Sequence, residues 1–219
     1  MNDTTMPMKV GRRQTARKHL VRAAHKVIGE RGFDNATVTE IIQEAGVGVG
    51  SFYNNFESKE DLARAAFKEN IDEFGQELRE LVLHCPDAAV ATCYAVRRMI
   101  ERAQDDAAWA WFIINLEPST SLFHEVMGPR ALIGLQIGID SGAFDIDDPE
   151  AAILAIHAVE VAVVKAMLQG RMTNRDTHRS VSLILRMLGI SKDRATYLAG
   201  LSMPALCKLI AKRKSRQDN

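Results

Sequence analysis

Strand signals are nearly absent from this sequence. No hairpin dipeptide sits between runs of alternating hydrophobicity, which argues against a sheet-based fold. Cysteine is scarce, with three in 219 residues. Cys85, Cys93 and Cys207 form no C-x-x-C pair and leave one over. A disulfide framework is therefore not expected, and a reducing cytoplasm fits. Net charge is lacking too: 28 Lys and Arg balance 28 Asp and Glu, so no global field announces a polyanionic partner. No apolar run followed by small residues opens the chain, so no signal peptide is expected. The most apolar stretch, Ala151 to Leu168, contains His157, Glu160 and Lys165. It is expected to fall short of a membrane span, and no membrane partner is expected. The motifs G-x-S-x-G, the P-loop and H-E-x-x-H are missing, which weighs against an enzyme.

What the chain does have is apolar content and helical rhythm. Hydrophobic residues make up 47% and charged residues 26%, ordinary values for a chain that builds a sizeable core. The charges are unevenly placed. Lys9, Arg12, Arg13, Arg17, Lys18, Arg22 and Lys26 crowd the start, and only Asp3 opposes them before Glu30. Such a local excess fits an anionic polymer meeting one region. A second basic run, Lys208 to Arg216, is read as a solvated tail.

The rhythm predicts an all-α fold. A first helix is expected over about 13–31, with Leu20, Ala23, Ala24, Val27 and Ile28 on one face and Gly32 behind it. Thr37 followed by Glu40 is a capping box that starts a second helix. Gly46 stops it. A short third helix begins near Val49 and carries Phe52, Tyr53 and Phe56. Ser58 caps a fourth that reaches about Leu83, before Pro86. Helices are then expected over about 87–104 and around Trp109–Leu116, the latter ended by Pro118. Others are expected near 129–140, 149–168, 174–188, 192–200 and 204–212. Asp148-Pro149-Glu150 is a strong start: cap, proline at the first helical position, acid in the first turn.

Two short helices around a tight turn at Gly46 form a helix-turn-helix, whose second helix is steep enough to enter a major groove. The stretch Gly32-Phe33, then Ala36 to Ile41, then Ala45-Gly46-Val47-Gly48-Val49-Gly50-Ser51-Phe52-Tyr53-Asn54-Asn55-Phe56, ending Ser58-Lys59-Glu60-Asp61-Leu62, closely resembles the signature of the TetR family. The resemblance covers about 13–68. It implies a three-helix DNA-binding domain there, with the helix-turn-helix at about 36–55, and a helical effector-binding and dimerisation domain over 69–212. It implies phosphate contacts from Thr37, Thr39 and Lys59. It places Val49, Gly50 and Ser51 against base edges, with Tyr53 and Asn55 on backbone or bases. Arg12, Arg13 and Arg17 would reach flanking phosphates. Two departures stand out. Gly48 holds a position often occupied by serine, and Asn54-Asn55 replaces a frequent aromatic–histidine pair. The glycines at 48 and 50 fit two readings: a turn that needs glycine, or close backbone approach to DNA.

The same resemblance implies a homodimer through the helices at about 149–168 and 174–188, presenting two recognition helices to a pseudo-palindromic duplex operator. The helix at 149–168 is apolar nearly all round, so burial on several faces is expected. A small, largely apolar effector would bind among Trp109, Trp111, Phe112, Asn115, Phe123 and Met127. Tyr94, Arg98, Met99 and Arg102 would form another wall, with His157 and Glu160 as polar orienters. The same aromatic spacing also suits an ordinary core. His157 and Glu160 lack a third metal ligand, so no metal and no cofactor are expected. The functional expectation is a repressor released by its effector. The run from Gly46 to Gly50 follows a helix rather than a strand, so it is not read as a dinucleotide loop. A helical protein-interaction module that keeps the helix-turn-helix only as scaffold is the third reading.

Overall fold

The structure, a computed structural model, describes residues 6–116 and 122–211, with side chains described from Arg13 onward except at 73, 77, 80–84, 174, 175 and 211. The described residues form eleven α-helices and no strand. In order they are α1 (Met6–Arg31), α2 (Val38–Ala45), α3 (Val49–Tyr53), α4 (Lys59–His84), α5 (Ala88–Asp105) and α6 (Ala107–Leu116). These are followed by α7 (Leu122–Asp140), α8 (Pro149–Leu168), α9 (Asn174–Met187), α10 (Lys192–Gly200) and α11 (Met203–Ala211). The chain divides into two compact units. One holds α1–α3, α4 as far as Ile71, and α6 from Ala108; the other holds the rest of α4 from Asp72, with α5 and the helices from Phe123 onward.

Local chemistry sets the first unit's helix ends. The Thr37 hydroxyl accepts from the Glu40 N–H at 3.2 Å, and Glu40 accepts from the Thr37 N–H at 3.0 Å. This reciprocal cap satisfies two donors that a helix start leaves orphaned. Gly46 closes α2 at φ 64°, the left-handed region that side chains other than glycine resist. Leu20, Ala24 and Ile28 of α1 are buried with Ile41 of α2, Phe52 of α3 and Leu62 of α4. Burying each such side chain contributes about 1.5–3 kcal/mol, enough to fix the small domain's geometry.

The second unit has one continuous apolar cluster. Val96 and Ile100 of α5, Leu135 of α7, Ile153 and Val163 of α8, Ile184 and Leu185 of α9, and Leu198 of α10 all belong to it. Asp87 caps α5 through the N–H groups of Ala89 and Val90, and Asp148 caps α8 through that of Ala151. Two expectations change here. The helix expected from Pro129 begins at Leu122 and carries Pro129 internally; proline removes one N–H from the ladder without ending the helix. Moreover, α8 is long and apolar enough by length and mean hydropathy, 2.0, to cross a membrane. In this fold Ile153 and Val163 enter the core shared with α5 and α9. The expected all-round burial is not met within one chain, because Leu154, Ala155, Ala158 and Ala162 face outward.

Candidate functional site

The helix-turn-helix presents a narrow, uncharged head. Phe52 is fully buried under α3, its ring edge-on to Tyr53 and tilted against Phe56. That anchor turns the opposite face of the helix outward. Val49 is 61% exposed and Tyr53 62% exposed, one helical turn apart. Gly48, Gly50 and Asn54 are exposed, and Ser51 is half-buried. Gly48 caps α3 with no side-chain bond, as expected for glycine in a position often held by serine. Thr39 is exposed on α2, beside the exposed Thr37. Proximity of the Thr37 N–H and hydroxyl holds the Glu40 carboxyl below its ordinary range, with Arg31 adding a smaller effect. Arg31 also pairs with Glu40 at 2.7 Å, tying the cap of α2 to the end of α1.

Several expected DNA contacts have internal duties in this structure. Lys59 does not project outward: its ammonium donates to the carbonyls of Phe33 at 2.8 Å and Ala36 at 2.9 Å. It also lies 4.4 Å from the centre of the Phe33 ring. Lys59 thus straps the start of α4 to the turn after α1. Arg17 pairs with Glu69 and stacks its guanidinium over Phe56, so it braces α1 on α4. The Asn55 amide donates to the Ser51 carbonyl at 2.7 Å and closes the end of the recognition segment. Lys26 of the basic cluster pairs with Glu44 at 2.8 Å. Arg13, Lys18 and Arg22 are exposed. The Arg12 side chain and the basic run from Lys212 lie outside the described residues.

The expected effector set is divided by the fold. Trp109, Phe112 and Asn115 belong to the first unit, where α6 packs on α1. The Phe112 ring lies 4.4 Å from that of His25. The Asn115 amide donates to the Gly29 carbonyl at 2.7 Å, and the Asn115 carbonyl accepts from the Phe33 N–H at 3.3 Å. Trp109 and Phe112 are thus buried in the first unit, and Asn115 ties α6 to α1. Trp111, on the same helix, is half-buried.

The remaining set stays in the second unit. Tyr94 is buried on α5, Met99 and Arg102 are half-buried, and Arg98 pairs with Glu101 at 3.2 Å. Phe123 stacks on His157 with ring centres 3.3 Å apart, and Met127 is half-buried on α7. Burial lowers the His157 imidazole to about 4. Burial also raises the Glu160 carboxyl to about 8. Both groups are therefore neutral at pH 7. A separate cleft of about 340 Å³ opens between the ends of α5 and α8, walled by Ala103, Gln104, Val164, Met167, Leu168 and Met172. None of the expected effector residues lines it, and no sequence periodicity pointed to it. Among the described residues no group of three His, Cys, Asp or Glu side chains is placed to hold a metal.

These features agree with the comparisons. Residues 20–66 match the model of bacterial regulatory proteins of the tetR family. Residues 87–200, just over half of the chain, match the tetracyclin repressor-like C-terminal domain. The HTH-type transcriptional regulator BetI of Brucella anthropi is 31% identical over 115 residues, covering 51% of this chain and 59% of BetI. The fatty acid metabolism regulator protein of Bacillus subtilis is 36% identical over 61 residues, 28% of this chain and 31% of that protein. The chain thus spans less than two thirds of the length of these curated relatives. Among solved structures, RolR in complex with resorcinol superposes with a TM-score of 0.71 at 26% identity, covering 90% of this chain and 98% of RolR. The regulator FadR of Bacillus subtilis in complex with stearoyl-CoA shares the fold, with a TM-score of 0.61 at 20% identity over 84% of this chain and 99% of FadR. The helix-turn-helix, the helical second unit and both family matches agree: the chain belongs to the TetR family of bacterial regulatory proteins.

Proposed function

We propose that this protein represses transcription by binding a pseudo-palindromic operator as a homodimer, and that a small, largely apolar effector releases it. The observation that carries this reading is the outward face of α3. Val49 and Tyr53 stand in solvent while the buried Phe52 holds them rigidly. A rigid, uncharged probe of this kind reads base edges, while hydroxyls and cations nearby set its register on phosphates. Val49, Gly50, Ser51 and Tyr53 face the bases in this reading. Thr39, the capped end at Thr37, Arg13 and Arg12 meet the backbone. Arg17, Asn55 and Lys59 act by positioning these elements.

The outward faces of α8 and α9 support the homodimer. Leu154 is 56% exposed and Leu183 49% exposed. Ala155, Ala158 and Ala162 lie on the same side of α8 as Leu154. An apolar face of this kind is covered by a second copy docking α8 and α9 against its own pair. The effector reading rests on the second unit, where Phe123 and His157 stack and Glu160, one turn along α8 from His157, is neutral. Apolar walls with a few uncharged polar groups suit a ligand with an aromatic or aliphatic body. Resorcinol in RolR and stearoyl-CoA in FadR are ligands of that broad kind.

The test has two steps. Genomic fragments retained by the full-length protein are sequenced, and a panel of apolar metabolites is then titrated into the complex. The reading requires retained fragments with inverted half-sites and at least one metabolite that weakens binding tenfold or more, a coupling of about 1.4 kcal/mol. Retention without sequence preference contradicts the operator, and stabilisation of the protein by a metabolite without release contradicts induction.

A further inference from the structure

Of the glycines around Val49, Gly50 has no internal explanation. Gly46 needs its glycine, since its φ is 64°. Gly48 has φ −80°, and Gly50 is absent from the positive-φ glycines. A Cβ added at either position meets nothing within 4 Å. Glycine in a helix is less favourable than alanine, so Gly50 weakens α3 without relieving any contact within the chain. The missing side chains make room for a body outside the protein. Between these two glycines stands Val49, a branched apolar group that takes no part in the core.

Charge is missing from the same head. From Ala45 to Phe56 no residue is acidic or basic. The commonest side-chain partner of guanine is an arginine or lysine reaching O6 and N7, and this segment offers neither. The Asn55 amide is engaged by the Ser51 carbonyl. What α3 offers at its closest point of approach is an isopropyl group. In the major groove the apolar counterpart on a base edge is the thymine 5-methyl group.

We infer that Gly48 and Gly50 let the α3 backbone come down onto the duplex so that Val49 packs on a thymine 5-methyl group in each half-site. This rests on the operator-binding reading above and adds the base that Val49 selects. The contact buries two small apolar groups against each other. Removing the thymine methyl therefore weakens binding about fourfold, the equivalent of about 0.8 kcal/mol for one buried methyl.

The experiment uses the full-length protein and a duplex that it selects from random-sequence DNA. Each thymine in turn is replaced by deoxyuridine, which keeps the base pair and deletes only the methyl. Wild type, Val49→Ala and Gly50→Ala are compared. For wild type, one thymine per half-site loses about fourfold when demethylated, and for Val49→Ala the same replacement has no effect. Gly50→Ala melts no lower than wild type yet binds the selected duplex at least tenfold more weakly, separating close approach from folding. The inference is overturned if selective binding persists but no thymine responds differently in wild type and Val49→Ala. It is also overturned if Gly50→Ala binds like wild type. If no sequence is enriched in the selection, the operator reading fails first and takes this inference with it.

Discussion

At the scale of single residues, protonation and capping give the sharpest expectations. Burial raises Glu160 from an ordinary 4.5 to about 8. The folded state therefore holds a proton that the unfolded chain releases, so stability declines as pH climbs from 4.5 towards 8. His157 is lowered from 6.5 to about 4, so its effect has the opposite sign and is confined to pH below about 6.5. Between pH 6.5 and 8 the Glu160 slope is the one expected from these two groups. Thermal melts should show Tm falling more steeply over that interval in wild type than in Glu160→Gln; parallel curves would refute the raised Glu160 carboxyl. Thr37→Ala removes the side-chain half of the capping box, and denaturant titration should show a loss of about 1 kcal/mol. Lys59 illustrates how a motif residue can mislead. Its position in Ser58-Lys59-Glu60 resembles the family pattern, but the choice between a phosphate and the carbonyls of Phe33 and Ala36 depends on where α1 ends in space. Sequence spacing carries no such coordinate.

At the scale of helices, α6 decides how the chain is organised. It follows α5 in sequence, but it packs on α1. A Cβ at Gly29 would lie 3.3 Å from the Phe112 backbone nitrogen and 3.4 Å from the Ala108 carbonyl oxygen. The two helices approach at glycine, and the Asn115 amide fastens them. Gly29→Leu should lower stability by about 1–3 kcal/mol through overpacking, read by denaturation, with α6 becoming the element of faster amide exchange. Undiminished stability would show that the approach is not constraining. Helix boundaries were legible in the sequence wherever a cap or a stop marks them: Thr37 with Glu40, Gly46, Ser58, Asp148 with Pro149. The start at Leu122 was missed although Ser119-Thr120-Ser121 precede it, because Pro129 inside the helix gave a false start. The docking partner of α6 was hidden for a related reason. Six of its ten residues are buried, so apolar residues occupy nearly every face and give no direction.

At the scale of the whole molecule, function depends on faces the single chain leaves open. α8 combines a core-facing side with an outward side bearing Leu154, and α9 adds Leu183. The proposed homodimer would account for a helix that is apolar all round although one chain buries only part of it. Leu154→Glu combined with Leu183→Glu should give a folded monomer by sedimentation at micromolar concentration, because unpaired carboxylates cannot be desolvated against a second copy. A dimer that survives both changes would place the interface elsewhere. The α3 face is the other open surface. Its exposure was legible from the motif, because Phe52, spaced with Phe56 and Leu62, had to point inward and leave Tyr53 outward. Of the residues expected around an effector, Phe123 and His157 stack in the second unit, while Trp109 and Phe112 lie in the first, a division that the sequence spacing did not carry.

The most direct test is the affinity of the full-length protein for a duplex recovered from its own genomic selection, measured by fluorescence anisotropy across a series of salt concentrations. A scrambled duplex of equal composition and the Tyr53→Ala variant serve as references. Tight, salt-sensitive binding that exceeds the scrambled duplex by a thousandfold or more, on the order expected for specific recognition, and that falls at least tenfold in Tyr53→Ala, is the predicted result. Equal affinity for both duplexes, or no effect of Tyr53→Ala, would contradict the claim that the outward face of α3 reads DNA.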